Sequence, residues 1–236
     1  MLPLMSLFRA DRPHYSRAEY LSDAVIHVVG VVAAVSAVPV LVTLAVIWRG
    51  DASAVLGITV YGVTLIAMLA FSAIYNMVRH PDWKWLLQRM DHSAIYLKIA
   101  GTYTPFVMLS GSSFGTFLAG LWAAALAGTG LKLFDPNRFR WVAISLYLGM
   151  GWAGLFAGWA LFSQMSDPVL DLLLVAGGLY TFGVVFYLTD RMVFHNTIWH
   201  VFVLAATVLI FAAVTLHLSD MSPGIAVAEA ARSGRG

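Results

Sequence analysis

Histidine, carboxylate and carboxamide side chains recur at four-residue spacing inside stretches that are otherwise apolar. Asp23 and His27 are four apart, as are Ser72 and Asn76, and Asn196 and His200. On a helix, residues at i and i+4 share one face, so each pair can project together into a bundle. Asp91 and His92 open a further apolar stretch. Imidazole and carboxylate together can hold a divalent ion and leave a position open for an activated water. The same residues can equally serve as hydrogen bonds that lock helix against helix. The chain has no cysteine, which excludes disulfides, thiol nucleophiles and thiolate metal sites, so any metal must take nitrogen or oxygen ligands.

The elements that must position these groups are membrane helices. Of the 236 residues, 60% are hydrophobic and 11% charged, less than half the charged fraction of about 25% usual in a globular domain. A hydrocarbon core about 30 Å thick takes roughly 20 apolar residues of helix. Seven runs approach that length: Ala24–Trp48, Ala54–Val78, Ser93–Leu109, Phe114–Phe134, Val142–Phe162, Pro168–Leu188 and Ile198–Leu218. The reading is therefore an all-α membrane protein of seven transmembrane helices. The third run contains Gly101 and Pro105, which predicts a kink whose freed backbone groups face protein. Gly154 with Gly158, and Gly177 beside Gly178, are read as close helix packing. Ten Lys and Arg residues fall in the N-terminal segment and alternate loops, against three on the other side, so the N-terminus is expected in the cytoplasm and the C-terminus outside. The domains expected are a cytoplasmic segment 1–21, a membrane domain 22–219 and a flexible tail 220–236. A removable signal peptide is not expected. A net charge of +2 with no dense basic patch sets nucleic acid aside as a partner.

This topology brings the polar groups to one depth near the cytoplasmic face. Asp23 and His27 arrive on the first helix, Ser72 and Asn76 on the second, Asp91 and His92 on the third, and Asn196 and His200 on the seventh. Lys98, seven residues beyond Asp91, lies two turns deeper on nearly the same face, as part of an ion pair, a proton path or a snorkelling side chain. His80 and His195 are assigned to loops, and Asp171 and His217 to the external interface.

Three segments carry a resemblance to a known family. They are Ser72-Ala-Ile-Tyr75; Asp91-His-Ser-Ala-Ile-Tyr-Leu with Ala100-Gly-Thr-Tyr-Thr-Pro105-Phe; and Ile198-Trp-His-Val-Phe-Val-Leu204. The sequence resembles the hemolysin III family, the bacterial branch of the progestin and adipoQ receptor superfamily, over about Tyr20 to Leu218. The resemblance implies seven helices and a zinc motif of Ser-x3-His ending the second helix, Asp beginning the third and His-x3-His beginning the seventh. Ser72, Asp91 and His200 match that motif. Asn76 and Asn196 stand where the other two imidazoles would be, and a carboxamide is a poor zinc ligand beside imidazole. Asp23, His27 and His92 are within reach to rebuild a site. His195 is one residue off, about 100° around the helix from the needed face.

The superfamily implies metal-dependent amide hydrolysis of lipids such as ceramide. In that case His200 is a metal ligand, Asp91 acts on the activated water and Ser72 positions the substrate or its oxyanion. The two missing imidazoles favour another expectation: a non-enzymatic factor that affects membrane physical state or energetics, without a cofactor, zinc being the alternative. Membrane lipids are the expected partners and the bacterial inner membrane the expected location. A secreted cytolysin fits least, because seven hydrophobic spans leave no soluble form.

Overall fold

The structure is a computed structural model that describes residues 16–78, 80–111, 114–134, 140–189 and 191–222. Eight helices are found among these residues: α1 Arg17–Trp48, α2 Ala52–Met77, α3 Pro81–Leu109, α4 Gly115–Phe134, α5 Arg140–Phe156, α6 Trp159–Phe162, α7 Asp167–Leu188 and α8 His195–Asp220. The expected tail beyond Ser222 and most of the expected N-terminal segment lie outside the described residues.

α1 shows why such helices belong in lipid. Its buried residues, Asp23, His27, Gly30, Ala34, Val38, Leu41 and Ala45, form a stripe at helical spacing. Its opposite face is apolar too, with Val25, Val28, Val32 and Val35 about half exposed. A helix apolar all round has no solvent face and is stable only inside protein or membrane. Ser16 starts it with a capping box, the hydroxyl accepting from Glu19 N while the Glu19 carboxylate accepts from Ser16 N. Asp51 caps α2 by accepting from Ala54 N at 2.9 Å. That amide and the Arg49 guanidinium hold the Asp51 carboxyl below the usual carboxylate range. Gly50, at φ 68°, makes the turn between the two helices.

The expected count of seven membrane-spanning helices is not met. Among the described residues five helices, α1, α2, α4, α7 and α8, are long and apolar enough to cross a bilayer. α3 is long but polar: Asp82, Lys84, Arg89 and Asp91 occupy its first half, and Lys98, Thr102, Tyr103 and Thr104 are interspersed in the second. That second half is buried by neighbouring helices, so it does not need the apolar surface that lipid demands. α5 has 17 residues and rises about 26 Å, short of the bilayer core. The run expected over Val142–Phe162 breaks after Phe156, and α6 follows as a separate turn. Just before the break, the Tyr103 hydroxyl donates to Gly151 O at 2.6 Å and accepts from Gly154 N at 3.1 Å, tying α3 to the last turns of α5. The topology deduced from seven crossings, N-terminus cytoplasmic and C-terminus external, goes with that count. The chain is a multi-pass membrane protein with an all-helical fold.

α3 is the hub, packing against α2, α4, α5 and α8, while α1 lies against α2 and α8. Helix α3 continues through Pro105. Close approach is built from glycine: a Cβ at Gly128 would strike the Tyr96 ring, and one at Gly154 or Gly177 would press on Phe162 or Trp152. Gly178, read from sequence as a packing residue, has open space beside it.

Candidate functional site

The polar end of the bundle is where α1 and α8 begin and α2 ends. Glu19, from the first turn of α1, accepts from Phe194 N at 3.0 Å, the residue in left-handed conformation (φ 61°) that precedes α8. Ser22 and Thr197 share a hydrogen bond of 3.0 Å between the same helices, and Tyr20 Oη donates to Met77 O at the end of α2. These ties fix the level at which the next turns of α1, α2 and α8 face one another.

Asp23 is the centre of that level. Its Oδ1 lies 2.6 Å from His200 Nδ1, and its Oδ2 accepts from Asn196 Nδ2 at 3.2 Å. Asn196 Nδ2 also donates to Asn76 Oδ1 at 3.3 Å, and Asn76 Nδ2 donates back to Ser72 O at 2.9 Å. His27 Nε2 stands 3.5 Å from Asp23 Oδ2 and has no closer partner among the described residues. The imidazole rings of His27 and His200 have centroids 4.3 Å apart. Ligand atoms of Asp23, His27 and His200 all lie within 4.8 Å of one another, a carboxylate and two imidazoles brought to one point. Beside them is a void of about 20 Å³ bordered by His27, His200 and Ser72, room for a single water or ion. The tautomer of His200 that donates Nδ1–H to Asp23 leaves Nε2 as a lone pair, the arrangement by which a carboxylate commonly orients a ligating imidazole.

The family's zinc set does not fit here. Asn196 directs an N–H donor at Asp23, in the place where an imidazole would offer a lone pair, and Asn76 is engaged with it. The set Asp23, His27 and His200 does fit a divalent metal by the chemistry of its donors.

Ser72 and Asp91 are both buried and border the same cavity. Asp91, Ser72, Asn76, Asn196 and His200 border a large cavity of about 580 Å³ that continues along α3 to Tyr103 and Phe106. Its far walls are apolar and include Leu155, Phe162 and Leu170. Three basic residues, Lys98, Lys132 and Arg140, face it, with Asp91 the one carboxylate among its described lining residues.

Seven of the residues singled out from sequence thus meet at this end: Asp23, His27, Ser72, Asn76, Asp91, Asn196 and His200. His92 does not join the triad. It borders the cavity with its ring edge-on to Tyr75 at 6.2 Å, and its backbone oxygen accepts from Tyr147 Oη. One residue from Asp91 is about 100° around α3, so both cannot face the same point. His217, expected at the interface, is buried against Phe106, with ring centroids 5.3 Å apart. Glu19 was missed, although Ser16-x-x-Glu19 carries the capping-box signature that marks it. Tyr180 and Thr207, whose hydroxyls share a hydrogen bond between α7 and α8, had no signal in sequence.

Comparison with known proteins agrees with the resemblance. Residues 17–211 match the family model described as Haemolysin-III related. The chain is 36% identical over 202 residues to "Hemolysin-3" of Bacillus cereus, covering 85% of this chain and 92% of that one. It is 34% identical over 201 residues to "Hemolysin-3 homolog" of Bacillus subtilis (strain 168), covering 84% and 94%. A more distant similarity, 26% over 170 residues, is to "Monocyte to macrophage differentiation factor" of Homo sapiens, covering 67% and 69%.

Proposed function

We propose, since the chain belongs to the hemolysin III family, that it is a lipid-binding membrane factor that affects the physical state or energetics of its bilayer without cleaving lipid. The observation that carries this reading is the 580 Å³ cavity, polar at the Asp91 and His200 end and apolar toward Phe106 and Phe162. Its volume lies within the range of about 300–1,000 Å³ common for small-molecule sites. It follows α3 from Gln88 to Phe106, a rise of roughly 27 Å, the shape of a chain with a polar head. The Asn76–Asn196–Asp23 network supports a non-enzymatic role, because carboxamides take two places where the family sets metal ligands. The bacterial inner membrane is the proposed location, supported by an all-helical bundle and bacterial relatives.

A metal-dependent lipid amide hydrolase is the second reading, favoured by the convergence of Asp23, His27 and His200. Those three residues would hold the metal, which when bound supplies a Lewis acid that polarises water and a carbonyl. In that reading Asp91 takes up a proton at its carboxylate, and the Ser72 hydroxyl, in the same cavity wall, positions the substrate or its oxyanion.

Elemental analysis of the purified protein separates the two. The first reading expects no stoichiometric metal, a co-purifying lipid by native mass spectrometry, and altered membrane order when the gene is deleted. About one zinc per chain, lost in both Asp23→Ala and His200→Ala, together with Asp91-dependent release of fatty acid from ceramide, would overturn it in favour of the hydrolase.

A further inference from the structure

The cavity has a second polar level that the site at Asp23 does not use. Lys98 lies seven residues along α3 from Asp91, a rise of roughly 10 Å. It is 4% exposed and borders the cavity. Its Nζ donates to Tyr180 Oη at 2.7 Å and lies 4.6 Å from the centroid of that ring. Tyr180 Oη in turn shares a 2.7 Å hydrogen bond with Thr207 Oγ1, so α3, α7 and α8 meet at this point. No carboxylate pairs with Lys98 among the described residues, and Tyr180 is its one side-chain partner there. A lysine has three N–H donors and no acceptor, so two donors stay open beside the cavity. A buried cation with open donors is costly unless an anion completes it.

The surrounding charge has the sign to recruit one. Lys98 and Arg140 border the cavity against Asp91, and low-dielectric walls focus that field inward. A single ammonium and a phenol suit a monoanion; phosphate is better held by the forked, multiple donors of arginine, and Arg140 sits at the other level. The lining on the Lys98 side includes Ile99, Phe106, Leu155 and Phe162, which bind no free ion but do accommodate hydrocarbon.

We propose that Lys98 and Tyr180 form a carboxylate-binding site midway along the cavity, whose ligand is a single-chain amphiphile with its hydrocarbon tail directed toward Phe106 and Phe162. This rests on the lipid-binding reading of the cavity and names the headgroup charge and its anchor. The same monoanion chemistry has a second source in a free small anion, which the test separates.

The full chain in detergent is titrated with oleate, oleyl alcohol and sodium acetate, using wild type, Lys98→Met and Tyr180→Phe. Thermal unfolding checks that each variant is folded. The expected result is oleate binding at least tenfold weaker in Lys98→Met and weakened several-fold in Tyr180→Phe, with oleyl alcohol unchanged in both. Equal binding of oleate and oleyl alcohol by wild type, or oleate binding indifferent to Lys98→Met, would overturn the carboxylate site and leave the lipid cavity standing. Lys98-dependent acetate binding with no preference for oleate over oleyl alcohol would assign the site to a free anion and overturn the amphiphile. Binding of neither long-chain probe by wild type would remove the lipid reading itself, and this proposal with it.

Discussion

Asp23 gathers three side chains from its own and one other helix, and its neighbours decide what the site can hold. Asn76 and Asn196 keep the helices tied where imidazoles would bind zinc. If that exchange alone disables the family's metal set, Asn76→His with Asn196→His should restore near-stoichiometric zinc, with His200 as the third imidazole. Elemental analysis of the double variant against the parent checks this, and an unchanged metal content would mean that the backbone positions are wrong for a zinc set. The members of this cluster were legible from sequence because four-residue spacing fixes what shares a face within one helix. What spacing cannot give is the pairing between helices. Asp23 to His200 spans 177 positions and Lys98 to Tyr180 spans 82, and both depend on packing that no local pattern encodes. His92 reaches the cavity wall with the others but not the triad at Asp23, a distinction that spacing along one helix does not make.

At the scale of elements, apolar length located five spans correctly and overcounted by two. α3 and α5 contain apolar runs, but protein covers the polar residues of the one and a break shortens the other. Just before that break α5 is tied to α3 by Tyr103, a residue 48 positions from the carbonyl it engages. Tyr103→Phe removes both hydrogen bonds to α5 and leaves the polar atoms of Gly151 and Gly154 to find partners. The expected cost is about 1–3 kcal/mol, read as a lower unfolding temperature in detergent. A variant as stable as the parent would show that this tie adds nothing to the packing of α5 on α3. At α2, Asp51→Ala deletes the N-cap and should cost about 1 kcal/mol in the same assay. Its cap was plain in sequence only once the helix start was known, as Asp precedes many residues that begin no helix.

Across the whole molecule, apolar side chains face outward as well as inward, and polar groups are confined to levels of an internal cavity whose other walls are apolar. The composition made this legible, since 60% hydrophobic residues exceed what a core of this size hides. The cavity was not, because it lies between helices whose neighbours the sequence does not name. One consequence of the central placement of α3 concerns the order of synthesis. Its charged first half and polar second half give it little tendency to enter lipid unaided, and of the helices that cover it only α2 precedes it from the ribosome. α8, which closes the cluster, emerges last. Until then the nascent chain holds Asp91 and Lys98 without their final surroundings, so the earlier helices must shelter α3 until α8 joins them, and a chain truncated before α8 is expected to leave both charges without that cover.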